Sequence, residues 1–197
     1  MKVIGITGGV GAGKSTILNY IEEKTKCRII FSDDVANDIK KKGQPCYEPI
    51  VELLGKEVLD KDGEIDKKLM AQIIFSDEKL LLKANEILHT EVNRFIKAEI
   101  DREREENELD YLFIEAALLI ENGYKAIVDE MWYIYASEEV RRERLKLSRG
   151  YLDEKINDIF ASQLKEEEFR KSCDFVIDNS GSNEETYRQI DLILGEN

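Results

Sequence analysis

"VIGITGGVGAGKSTILNYI", residues 3–21, sets five glycines within nine positions between an apolar run and a segment of helical spacing. Residues 2–7 are short, β-branched and bounded by glycine, as a buried strand is. From Lys14 to Lys24, Ile17, Leu18 and Ile21 recur at helical spacing, so a glycine-rich turn joins a strand to a helix. Within it "GGVGAGKS", Gly8 to Ser15, satisfies G-x-x-x-x-G-K-[ST] in the strand-before, helix-after setting that the motif requires. Glycines let successive N–H groups turn inward as a nest for phosphate oxygens, and the helix N-terminus adds partial positive charge. Lys14 is then expected on the β- and γ-phosphates, and the Ser15 hydroxyl in the shell of a Mg²⁺ ion. The turn reads as a cradle for a nucleoside triphosphate and leaves the acceptor open.

Strand-like and helix-like stretches alternate along the rest of the chain. "CRIIFS" (27–32) predicts a second strand, with Ser32 or Asp33 capping a helix through Val35, Ala36 and Ile39. Pro45 and Pro49 fall in the next connection. Residues 64–107 read as almost wholly helical, with Leu81, Leu88, Val92, Phe95 and Ile96 as one apolar stripe and "DREREENE" as a solvated tail. "YLFIEA" (111–116), "MWYIYA" (131–136) and "FVIDNS" (175–180) are strand-like, and residues 184–194 form a last helix. Such alternation predicts an α/β fold with a parallel sheet covered on both faces. Ligands in such folds sit at the carboxyl ends of the strands, where the glycine loop, Ser32-Asp33 and Glu115 all fall.

Composition narrows the partners. The 197 residues are 42% hydrophobic and 36% charged, a globular balance, with no apolar stretch near the roughly 20 residues that span a bilayer. Lys2 leads straight into a strand-like run, with no basic leader and apolar core, so a cytoplasmic location is expected. A net charge of −13 argues against wrapping nucleic acid and requires a local positive site for any anionic ligand. Cys27, Cys46 and Cys173 are widely spaced and suggest neither metal nor redox pairing. A guanine reader of the Asn-Lys-x-Asp kind is absent, and "DKDG" (60–63) follows no strand, so it reads as a surface turn.

Two further features suggest phosphotransfer. Glu115 ends the third strand, where a carboxylate is placed to hold a metal's water shell. "EVRRERLKLSRG" (139–150), followed by "DEKINDIFASQ", puts four arginines on a helix–turn–helix that is expected to act as a lid over the phosphates. Arg144 and Arg149 are expected on phosphate, with Arg141 and Arg142 secondary. Asp33 is the candidate base, with the alternative that it is only a helix cap. Tyr124 and Trp132 read as packing.

The chain resembles the dephospho-CoA kinase family along its whole length. The resemblance rests on "GITGGVGAGKST", "FSDDVA", "LHT" (88–90), "EAALLIE" (115–121), Arg144, Arg149, Gln163 and "VIDNSG". It implies a five-stranded P-loop kinase core (1–37, 108–140 and 170–197), a helical acceptor-binding insertion (about 38–107) and a helical lid (about 141–165) in one domain. The implied activity is ATP-dependent phosphorylation of the ribose 3′-hydroxyl of dephospho-CoA, with ATP and Mg²⁺. It further implies that Asp33, Lys14 and Arg144 are catalytic. ATP is then held by Gly9, Val10, Gly11, Ala12, Gly13, Lys14, Ser15, Thr16, Arg149 and Asn179. His89, Glu115 and Leu118 are implied at the acceptor, and Ser15 at the metal, with Asp33 and Glu115 acting through water. The sequence departs from the family pattern at Phe31, where an aspartate is usual, at Asn37, where an arginine is common, and at Thr90 and Ala117, which replace prolines. Phe31 and Asn37 border the expected acceptor site. A kinase of another small hydroxyl or nucleotide acceptor, and a non-catalytic ATP-sensing module, are the alternatives; retention of both Lys14 and Asp33 speaks against the sensor. Oligomeric state is not legible in the sequence.

Overall fold

The computed structural model describes residues 1–195. The chain divides into two compact units, one of residues 1–30 with 106 onward and one of residues 31–105. The helical insertion expected from about 38 to 107 therefore forms a unit that begins seven residues earlier, at Phe31.

The first unit is built on a five-stranded parallel sheet in the order β2-β3-β1-β4-β5. Its strands are β1 (Lys2–Thr7), β2 (Cys27–Phe31), β3 (Tyr111–Glu115), β4 (Glu130–Tyr135) and β5 (Phe175–Asp178). β1 is the middle strand and pairs in parallel with β3, Ile6 facing Glu115, and with β4, Thr7 facing Tyr133. The order of apolar residues along the strands explains the burial. Ile4 and Ile6 of β1, Phe113, Trp132, Ile134 and Ile177 share one face. Helices α1 (Lys14–Lys24) and α9 (Asn183–Leu194) close that face with Ile17, Leu18, Ile21 and Ile190. Each such side chain, fully buried, contributes about 1.5–3 kcal/mol. On the opposite face Tyr133 stacks on Phe169 of α8 (Glu166–Ser172) with ring centroids 4.6 Å apart. Between β4 and α8 lies a hairpin of α6 (Glu138–Arg149) and α7 (Asp153–Ala161), turned by Gly150 in the left-handed region. Trp132 and Tyr124 are buried, as packing residues are.

The second unit holds α2 (Ser32–Asp38), α3 (Tyr47–Leu54), α4 (Lys67–Ser76) and α5, whose 29 residues run Glu78–Glu106. Asp77 separates the last two and accepts the Lys79 N–H at 2.8 Å, so one residue ends α4 and caps α5. Val92 and Ile96 of the expected stripe are buried together with Ala84 and Ile100, whereas Phe95 is exposed. "DKDG" is a surface turn, as expected: the Asp60 side chain accepts from the Asp62 and Glu64 amides beside a Leu59–Ile65 bridge.

Several local expectations need correction. The N-cap of α2 is Phe31, with extended backbone and no capping side chain, so neither Ser32 nor Asp33 caps it. That helix ends at Asp38, and Ile39 is its C-cap. Pro49 lies inside α3, not in a connection. As the third helical residue its missing N–H is one that has no intrahelical partner anyway. The charged tail is not wholly solvated: Glu103 is buried, with Arg102 at 3.2 Å.

Candidate active site

The loop after β1 is closely approached by its neighbours. At Gly8 a side chain would overlap the Ile134 carbonyl oxygen of β4, and at Gly13, with φ of 87°, it would overlap Asn179. Only glycine fits both the left-handed conformation and the contact at position 13. The glycines thus serve packing as well as freedom.

The hydrogen bonds of the loop are one-sided. Five of the six carbonyls of residues 8–13 are occupied: Gly8 O accepts from Lys14 Nζ at 2.9 Å, Gly9 O from the Ala12 N–H, and Gly13 O from the Thr16 and Ile17 N–H groups. Val10 O accepts from Arg141 Nε at 2.9 Å. Ala12 O accepts twice, from Asn179 Nδ2 at 2.7 Å and from Arg144 at 3.3 Å. The N–H groups of Val10, Gly11, Gly13, Lys14 and Ser15 donate to no acceptor among the described residues. A backbone with its acceptors in use and its donors free is a site for an anion.

Helix α1 strengthens the same polarity. Its N-cap is Gly13, with no side-chain capping bond, and its first turn carries no acidic residue. α6 and α9, by contrast, begin with serine caps followed by glutamates. The positive end of the α1 dipole is therefore left for a ligand, and phosphate oxygens fit it. Lys14 also lies 3.4 Å from the Glu115 carboxylate at the end of β3, which holds its ammonium group at the loop.

The arginines of α6 separate by face. Arg141 reaches Val10 O, bonds Gln163, and stacks over the Phe160 ring at 4.3 Å; burial lowers its pKa. Arg144 bonds Ala12 O and, at 2.9 Å, Asn179 O. Arg142 points the other way and ties Glu138, Asp153 and Asn157, which fixes the α6–α7 hairpin. Arg149, expected on phosphate, stands exposed beside Tyr151, 5.9 Å from its ring. Arg141, secondary in the sequence reading, is thus the arginine that grips the first half of the loop. Helical phase is the signal that separates them: 141, 144 and 145 share a face that 142, 146 and 149 do not.

Asn179 is buried and fully engaged. Its N–H donates to Tyr135 O, its Nδ2 to Ala12 O, and its Oδ1 accepts from the Thr186 hydroxyl at 3.1 Å. It braces the loop from behind. Thr7, directly before Gly8, is buried with a hydroxyl that has no partner among the described residues, and no sequence signal singles it out. Leu118 lies half-exposed in the turn after β3. Asp33 and His89 belong to the helical unit: Asp33 is exposed in the first turn of α2, and His89 is half-buried on α5.

A phosphate-cradling loop on the carboxyl end of the middle strand, braced by arginines from a helical hairpin, defines a P-loop phosphotransferase. Its group is set by comparison. The dephospho-CoA kinase family model matches residues 2–185, and the chain belongs to that family. It is 40% identical over 197 residues to dephospho-CoA kinase of Aquifex aeolicus, covering 100% of this chain and 97% of the relative. The enzyme of Carboxydothermus hydrogenoformans is 36% identical, covering 98% and 93%. Among solved structures, dephospho-CoA kinase from Campylobacter jejuni aligns with a TM-score of 0.72 and 25% identity over 98% of each chain. TT1252 from Thermus thermophilus aligns at 0.82 with 28% identity, covering 98% of this chain and 96% of that one. A shikimate kinase from Acinetobacter baumannii, at 0.52 and 15%, shares the fold alone.

The chain is accordingly a kinase that uses ATP to phosphorylate dephospho-CoA to coenzyme A. The alternatives of another small acceptor and of a sensor module are set aside by that membership. No helix among the described residues is long and apolar enough to cross a membrane.

Proposed function

We propose the following division of labour within this reaction, carried by the loop in which five of six carbonyls are engaged and most amides are free. The loop amides, Lys14 and the α1 N-terminus hold the β- and γ-phosphates of ATP. Arg141 and Arg144 fix the loop's shape and bring positive charge beside the transferred group. The helical unit binds the acceptor, with His89 among its contacts, and the α6–α7 hairpin acts as a lid. Asp33 takes the proton of the ribose 3′-hydroxyl as that oxygen bonds the γ-phosphorus and the bond to the β,γ-bridging oxygen breaks, releasing ADP. Exposure of Asp33 and its exclusion from the N-cap position support that role. The Ser15 hydroxyl, in the first turn of α1, would hold Mg²⁺ with Glu115 acting through water, and the family pattern assigns Asp33 to the same role. When bound the ion neutralises phosphate charge.

The reducing cytoplasm suits three cysteines that are all free thiols. A net charge of −13 favours a small-molecule substrate over nucleic acid.

The decisive experiment is steady-state coenzyme A formation by Asp33→Asn. Loss of the base lowers kcat by about 10²–10⁴-fold, with ATP KM and melting temperature preserved. Since phosphoryl transfer proceeds through a loose transition state, the low end of that range is the expected one. An Asp33→Asn enzyme within about threefold of wild type removes the base assignment and moves attention to Asp34 or to positioning alone.

A further inference from the structure

The helical unit carries a cleft of about 740 Å³, in the size range of small-molecule sites, between α2 and the start of α4. Three lysines and three carboxylates (Asp34, Asp38 and Glu64) line it, but not all of them are paired. Lys41, one of three lysines lining it, is taken up by Asp38 at 2.6 Å. The Glu64 carboxylate accepts the Lys42 amide N–H at 2.9 Å. Lys40 and Lys67 have no hydrogen-bond or ion-pair partner among the described residues. Asp34 is the one lining carboxylate with no hydrogen-bond or ion-pair partner among the described residues, and Asn37 brings no charge.

Two ammonium groups that share a concave surface and form no ion pair repel each other in the free protein. The repulsion is felt at Lys40: half-burial and then the charge of Lys67 lower its pKa, and the Asp33 carboxylate opposes them in part. Holding two cations in that state costs stability unless an anion relieves it. Asp33, close enough to act on Lys40, is the residue assigned above to the ribose hydroxyl. The acceptor of this reaction carries a diphosphate on the far side of that same ribose, with one negative charge on each phosphorus.

We infer that Lys40 and Lys67 form the subsite for the diphosphate of the acceptor. The inference rests on the acceptor being dephospho-CoA. It makes both lysines positioning residues: they hold the nucleotide by its diphosphate so that the 3′-hydroxyl is presented to Asp33. They are also unpaired positive charges that an anionic substrate can meet on a chain of net charge −13.

The test is acceptor kinetics at saturating ATP for wild type, Lys40→Gln, Lys67→Gln, the double variant and Lys40→Arg. Each neutralised lysine should raise the KM for dephospho-CoA about tenfold, with kcat changing less than about twofold, because a charge-assisted bond made in ground and transition states alike is lost. The double variant should also lose most of the salt dependence of kcat/KM for that acceptor. With adenosine, a ribonucleoside lacking the diphosphate, the same substitutions should leave kcat/KM within about twofold. Lys40→Arg, which keeps the charge, should stay within about threefold of wild type in KM. An unchanged KM in the double variant, an equal loss with adenosine, or a Lys40→Arg enzyme as weak as Lys40→Gln overturns the subsite while the wild-type activity stands. A wild-type protein that fails to turn over dephospho-CoA overturns the acceptor reading itself, and the subsite with it.

Discussion

The glycine loop of the first unit and the α2–α4 cleft of the second both present lysines to phosphate, but they hold them in opposite ways. Lys14 is anchored before any ligand arrives, between Gly8 O at 2.9 Å and Glu115 at 3.4 Å. Lys40 and Lys67 are held by nothing among the described residues. The loop is preorganised: its carbonyls are bound by Arg141, Arg144 and Asn179, so its donors need no rearrangement to meet charge. Preorganised donors are what transition-state stabilisation requires, whereas a cleft that only has to hold a substrate can gain its order from that substrate. Mutations in the two regions should therefore act on different kinetic constants.

Lys14→Ala gives the sharpest break. Removing the anchored ammonium takes away a fixed charge at the β,γ-phosphates, and kcat/KM for ATP should fall by at least about 10³-fold. Lys14 is part of a loop edge and not of the apolar core, so the melting temperature should hold. Turnover near that of wild type would mean that the amides and arginines suffice without it, and the contrast between the two regions would vanish.

Arg144→Ala should come next, and it tests whether bracing and catalysis are one function. Its guanidinium holds Ala12 O and Asn179 O, so its loss leaves carbonyls short of a donor and costs about 1–3 kcal/mol of stability. A fall in kcat that exceeds the rise in ATP KM marks a contact that strengthens in the transition state. If only KM rises, Arg144 is a ground-state clamp. Arg149→Ala is the control on the same helix: beside Tyr151 and away from the loop carbonyls, it should change kcat less than about threefold. An Arg149→Ala loss as large as that of Arg144→Ala would instead require the hairpin to move on binding, and would restore the role its sequence position suggested.

The contrast between those arginines shows where sequence reasoning reaches and where it stops. The strand–loop–helix at residues 2–24, the order of the elements and the hairpin at 138–161 were legible, because each rests on local periodicity and turn chemistry. Side-chain partners were not. Arg141, Arg144 and Arg149 are one residue type in one stretch, and only the packing of α6 against the loop decides which of them meets it. Asn179 was legible as a residue near the nucleotide through resemblance, but its three bonds to Tyr135, Ala12 and Thr186 depend on contacts up to 167 residues away. The cap of α2 was misread because Ser32 and Asp33 are good capping residues, yet β2 runs one residue less than expected and its last residue, Phe31, takes the cap position.

Thr7→Val should have the smallest effect, and it tests the loop's preorganisation from below. Thr7 is buried at the end of β1, opposite Tyr133 in the ladder, with its hydroxyl unpartnered among the described residues. Valine has the same shape and the same β-branched preference for a strand, so the backbone need not move. A buried hydroxyl without a partner costs free energy that an isosteric methyl group does not, and the substitution should stabilise the protein by about 1 kcal/mol. For a chain of this size that corresponds to a melting temperature about 2–4 °C higher. Because the carbonyls that shape the loop are bound by other residues, kcat and ATP KM should remain within about twofold. A lower melting temperature would show that the hydroxyl bonds a buried water in solution. Unchanged stability with a large loss of kcat would show something more specific: that the loop shifts when ATP enters and the hydroxyl then finds its partner, so the loop would be less preorganised than its carbonyl bonds imply.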